Sequence, residues 1–138
     1  MSDNGSLVKG VDFVTVSTQD FDRAVDFYTN VLGLPESARY GSSPGVEFET
    51  GSLTLAIVQS EAFGMEFRTN NHPIALHVDD VEAARAELES RGVEFGADTL
   101  DSGVCHMAFF SDPDGNALML HHRYAPRPER GGDASPGG

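Results

Sequence analysis

Positive charge is scarce in this chain. Nine Lys and Arg stand against 22 Asp and Glu, a formal net charge of −13. Nucleic acid and anionic membrane faces both need a basic surface, so neither is expected as a partner. A cationic small molecule would be drawn into such a field. Cysteine is scarcer still. Cys105 stands alone, so no disulfide can close within the chain, which fits a reducing, cytoplasmic setting. No apolar run approaches the ~20 residues of a membrane span. The first ten residues carry neither the charged nor the apolar region of a secretory signal. What remains is 138 residues, 39% hydrophobic, enough for one globular domain or two half-size units sharing a core.

The periodic segments come in two rounds. Residues 1–9 are polar and read as a disordered tail. Val11–Ser17 is rich in β-branched residues and reads as a strand. Asp20 caps a helix expected to run to Leu32, with Phe21, Ala24, Val25, Tyr28, Val31 and Leu32 as its buried stripe. Gly33 stops it and Pro35 prevents its resumption. Strands follow at Ser37–Gly41, Gly45–Thr50 and Leu53–Val58, the last two joined by a hairpin turn at Gly51-Ser52. Gln59–His72 has no clean period and reads as a linker. Pro73–Val78 then begins the second round: a strand, Asp80 as cap, and a helix with Val81, Ala84 and Leu88 buried. That helix carries a Glu87–Arg91 pair on its wet side and stops at Gly92. Val93–Phe95, Val104–Phe110 and Ala117–His121 supply three more strands. The second round overlays the first at an offset of 60 residues: Val14 on Ile74, Val16 on Leu76, Asp20 on Asp80, Ala24 on Ala84. One inserted residue then brings Gly33 onto Gly92. Strand, cap, helix and glycine stop in the same order twice define two βαβββ modules, 10–58 and 73–124, with 59–72 between them and a Pro- and Gly-rich tail at 125–138. The fold class is α+β. A single helix covers one face of each sheet, so the other face needs a partner or a ligand.

The runs Asp20–Leu34 and Ser111-Asp112-Pro113-Asp114-Gly115-Asn116 resemble the two signature stretches of the vicinal oxygen chelate superfamily. That superfamily holds glyoxalase I, extradiol dioxygenases, methylmalonyl-CoA epimerase, fosfomycin resistance enzymes and bleomycin resistance proteins. The resemblance spans roughly Val11 to Tyr124. It implies two tandem modules curling into a half-barrel around a cavity, often paired as a homodimer. It also implies, in metal-using members, one divalent ion held by four cavity-facing strand positions. Carried over residue by residue, these are Phe13, Ala56, Pro73 and Met119. None is a ligand for a hard divalent cation. His72, one residue before Pro73, could turn inward through a register slip or bulge.

Periodicity sets the remaining candidates. Positions 13, 15 and 17, 54, 56 and 58, and 73, 75 and 77 fall opposite the continuous apolar sets that face the helices. The expected ligand-binding residues are therefore Phe13, Ala56 and Met119 for apolar contact, and Thr15, Thr54, His77 and His121 for hydrogen bonds. His122 alternates to the other face, and His106 lies on a different strand. Cys105 and His106 point to opposite faces and cannot act as a nucleophile and base pair. Asp112–Gly115 lacks the downstream ligands of a calcium loop and reads as a turn. The expected cavity strands carry no Lys or Arg, and Arg39, Arg68 and Arg123 lie at their margins. Phosphorylated and CoA-bearing substrates are disfavoured on that ground. No cofactor, no metal and no catalytic residue are assigned. The leading expectation is a metal-free binder of a small neutral or cationic, partly apolar molecule. The alternative is a lyase, isomerase or dioxygenase with a non-standard metal site drawn from His72, His77 and His121, or with proton transfer through His77 and His121.

Overall fold

A computed structural model describes residues 5–127. The structure of the expected tails at 1–4 and 128–138 lies outside the described residues. The chain falls into two compact units. One runs to His72 and takes in Ser111–Ala117; the other comprises Pro73–Phe110 and the stretch from Leu118 onward.

The first unit holds strands β1 (Val14–Thr18), β2 (Glu36–Arg39), β3 (Gly45–Glu49) and β4 (Thr54–Gln59) in the order β1-β4-β3-β2. β1 runs parallel to β4, and β3 pairs antiparallel with both β2 and β4. β1 starts at Val14 rather than Val11. Upstream of Thr54 the chain turns through Leu53 and Gly51, so residues 11 and 12 have no strand to pair with, while Phe13, in line with the first residue of β4, is half exposed. Helix α1 (Phe21–Asp26) begins at Asp20, whose carboxylate accepts from the Arg23 N–H. It gives way at Phe27–Val31 to one π-helical turn, closed by Leu32 N–H onto the Phe27 carbonyl. Phe27, absent from the expected set, is buried next to Tyr28, and Tyr28 stacks on Phe48 at 5.8 Å between ring centroids. Gly33 ends the turn with φ +74, a conformation that costs glycine little. A 3₁₀ turn at Ser60–Phe63 interrupts the expected linker.

The second unit holds β5 (Ile74–His77), β6 (Leu100–Asp101), β7 (Cys105–Ser111) and β8 (Ala117–Arg123) in the order β5-β8-β7-β6. Helix α2 (Val81–Ser90) is capped by Asp80 onto the Ala83 N–H. It carries the Glu87–Arg91 ion pair at 3.1 Å and ends before Gly92. Val93–Phe95 is not a strand. Phe95 is anchored by its ring instead, 5.2 Å from Phe110 and under the Arg85 guanidinium at 4.8 Å. The ladder forms later, with Leu100 opposite Met107 and Asp101 opposite His106. β8 runs two residues past His121, to Arg123. Among the described residues no helix is long and apolar enough to cross a membrane.

Candidate functional site

Pairing register decides which side chains share a face. In the first unit Thr15 sits beside Ala56, and Ala56 beside Glu47; Glu49 sits beside Thr54. Paired residues project to the same side of a sheet. This row lies opposite Val46, Phe48, Leu55 and Ile57, all but fully buried. Thr15 is exposed, Thr54 half-buried, Ala56 buried.

Three residues join this face that sequence reasoning did not select: Tyr40, Glu47 and Glu49. The Tyr40 hydroxyl donates to Glu47 at 2.6 Å. Burial, then Glu47, pushes the Tyr40 pKa up to about 12, so it stays a donor at neutral pH. Glu49 accepts from Ser37 at 2.6 Å and from Thr54 at 2.7 Å, and those hydroxyls hold its carboxyl below the usual range. Gly45 lies in the next row, beside Val58. A Cβ there would run into the Tyr40 ring, so the glycine keeps that ring in place. The alternation of Val46 and Phe48 with Glu47 and Glu49 was the available signal. It places both carboxylates off the core, but only the register places them beside Ala56 and Thr54.

In the second unit Ala75 pairs with Met119 and His77 with His121, so all four share a face. His77 is exposed, and its Nε2 lies 3.5 Å from an Asp79 carboxylate oxygen. Met119 and His121 are half-buried. Burial lowers the His121 pKa, and the neighbouring charges of His77, Arg127, His122 and Arg123 lower it further. The ring centroid of His122 is 6.0 Å from that of His77, and its Nδ1 is buried without a hydrogen-bond partner. The extra strand length also brings Arg123, two residues beyond His121, onto the His121 face rather than a margin. Cys105 is buried and His106 is not; His106 leans on Asp101 at 3.4 Å and on the Tyr124 ring at 4.7 Å.

The turn 112–116 belongs to the first unit and is more than a turn. Asp112 and Asn116 are buried. The Asp112 carboxylate accepts from the Tyr28 hydroxyl at 2.8 Å, the N–H groups of Asp114 and Asn116, and the Asn116 amide. Asn116 also donates to the Ser17 carbonyl and accepts from the Asn70 N–H. Asp114 takes the Thr18 hydroxyl and the Gln19 N–H. The network ties the end of β1 to the π turn and holds Thr15 and Ser17 in register.

The model of the Glyoxalase/Bleomycin resistance protein/Dioxygenase superfamily matches residues 10–120, and the chain belongs to that superfamily. It is 29% identical to the metallothiol transferase FosB of Shouchella clausii over 127 residues, covering 83% of this chain and 81% of that one. It is 25% identical to the glutathione transferase FosA of Serratia marcescens, covering 83% and 82%. Among solved structures it resembles TnmS3, an antibiotic binding protein from Streptomyces sp. CB03234, at 25% identity and a TM-score of 0.72, covering 86% of this chain and 98% of that one.

The resemblance of the sequence to the superfamily carries the four divalent-metal positions of metal-using members onto Phe13, Ala56, Pro73 and Met119. A benzyl group, a methyl, a pyrrolidine ring and a thioether do not fit such an ion, which takes nitrogen and carboxylate oxygen. Among the described residues no group of three His, Cys, Asp or Glu side chains is arranged to hold a metal ion.

Proposed function

We propose that this protein binds a small, partly apolar, neutral or cationic molecule, without a metal at the four family positions. The observation that carries the reading is the donor set itself: Phe13, Ala56, Pro73 and Met119. A site that cannot polarise a substrate oxygen through a cation still offers apolar contact with a few placed polar groups, the usual make-up of a small-molecule site. Phe13, Ala56 and Met119 supply the contact. Thr15, Thr54, His77 and His121 supply hydrogen bonds. Glu47 and Glu49, on the Thr15 and Thr54 face, add the negative charge that favours a cation. The antibiotic binding protein TnmS3 is a relative with a matching output. The reading includes a cytoplasmic homodimer, which sedimentation tests separately.

Calorimetry with metal-free bleomycin, a cationic and partly aromatic probe, tests it. Binding should survive treatment of the protein with a chelator. The double variant Glu47→Gln, Glu49→Gln should weaken it modestly, as expected for solvent-screened charges. Stoichiometric zinc, nickel, iron or manganese in protein purified without chelator, lost on mutating His77 or His121, would overturn it. One observation favours a second reading. His77 and His121 stand side by side, and His121 is held partly neutral, which suits proton transfer in a lyase or isomerase. Turnover abolished by His121→Asn would select that reading.

A further inference from the structure

We infer that His77, His121 and Arg123 form a binding site for a small oxyanion, a phosphate or carboxylate group, at one end of the second sheet. Register carries the argument. His77 and His121 are direct partners on adjacent parallel strands, about 4.8 Å apart as neighbouring strands are. Arg123 follows His121 by two residues on β8 and so projects to the same side. By register two imidazoles and a guanidinium share one face of a chain whose net charge is −13, with the His77 ring at the strand end also 6.0 Å from that of His122. The Arg123 side chain is held in place by the Ala125 carbonyl at 3.0 Å and the Pro126 carbonyl at 3.4 Å. Those bonds use Nε and Nη2 and neutralise no charge.

The charged groups around this end are few. Asp79 stands 3.5 Å from His77, fully exposed and free to swing away. His122, Arg123 and Arg127 are the other charged or titratable neighbours felt by His121, and none is an anion. The carboxylate nearby stands against His77, while His121 feels the positive charge of Arg123. An oxyanion between them would accept from imidazole N–H and from the guanidinium, the charge-assisted geometry that Arg favours. The site shares His77 and His121 with the proposed ligand set, adds Arg123, and does not rest on that reading.

Side-chain imidazole NMR at pH 6.0 and constant ionic strength is the test. Inorganic phosphate and acetate are titrated separately against sodium chloride. Saturable shifts of His121 and His77 are expected, and Arg123→Gln should weaken phosphate binding at least about fivefold, as loss of a charge-assisted contact does. Saturation by acetate as well widens the ligand class to carboxylates; saturation by phosphate alone narrows it to phosphates. Shifts no different from those with chloride overturn the proposal, and so does undiminished binding by Arg123→Gln. Should Arg123→Gln lose its amide dispersion, His121→Asn with Arg123 intact must show the same weakening. Failure here leaves the bleomycin result untouched, so the two readings fall separately.

Discussion

β4 and β8 hold the same place in the repeated pattern, yet they are buried differently. On the helix side they agree: Leu55 and Ile57 of β4, and Leu118 and Leu120 of β8, are all but inaccessible. On the other side they part. Ala56 and Val58 are buried, whereas Met119 and His121 are half-exposed. The repeat therefore preserves what packs a helix onto a sheet and leaves the opposite face free to differ. One unit uses that face for small apolar groups rimmed by carboxylates, the other for imidazoles and a thioether.

The sharpest break between the units is the buried turn, which only the first possesses. Asp112→Ala removes the acceptor of four hydrogen bonds at once, leaving the Tyr28 hydroxyl, the Asn116 amide and two N–H groups unsatisfied. Urea unfolding should show a loss of about 3 kcal/mol or more. A loss below about 1 kcal/mol would mean that water replaces the network. The helix-side equivalence is tested next. Leu55→Ala and Leu118→Ala should each cost about 2–5 kcal/mol and differ little, since both side chains are fully buried. A marked inequality would show that the two cores are not alike on that side either.

Tyr28→Phe should cost about 1 kcal/mol at neutral pH. Its larger signature is alkaline. Burial first, then Asp112, raises the Tyr28 pKa above its ordinary 10.0. Below pH 10 the folded and unfolded chains both keep the proton. Above it the unfolded chain releases the proton while the folded one holds it, so stability falls. Tyr40 and Tyr124 are shifted the same way. Tyr28→Phe should therefore shallow the alkaline decline without abolishing it. An unchanged alkaline slope would place the effect elsewhere.

Local signals carried most of the architecture. Asp20 and Asp80 as caps, Gly33 and Gly92 as stops, and alternation in β4 and β8 each follow from short-range chemistry and reappear in the structure. The strand misses share one cause, which is that pairing partners are non-local. Val11 and Asp12 precede β1, where the chain opposite has already left β4 for its turn. Val93–Phe95 has strand propensity and is held by its aromatic ring instead. Phe27 stands three residues after Ala24 and beside Tyr28, so the i, i+3, i+4 spacing already put it on the buried stripe. Within the candidate site, Thr15, Thr54, His77 and His121 were reachable by parity along single strands. Glu47, Glu49 and Tyr40 needed the hairpin register, and Arg123 needed the two extra residues of β8.

The smallest effect concerns the position where the two faces diverge. Val58 in β4 corresponds to His121 in β8, since each pairs with the residue two beyond the first family-equivalent pair: Ser17 for Val58, His77 for His121. His121→Val makes the second unit resemble the first there. At pH 8 the change in stability should stay within about 1 kcal/mol, because the site is only half-buried. The difference should appear on acidification. Burial, then the charges of His77, Arg127, His122 and Arg123, holds His121 below its ordinary 6.5. Above that value the imidazole is neutral whether the chain is folded or not. As pH falls through it, the unfolded chain takes up the proton first, so stability declines towards the folded pKa. Urea midpoints measured from pH 8 to pH 5 should therefore fall less steeply in His121→Val than in the native chain. Parallel curves would mean that the folded and unfolded chains protonate His121 alike, so that burial and its neighbours do not hold it below 6.5.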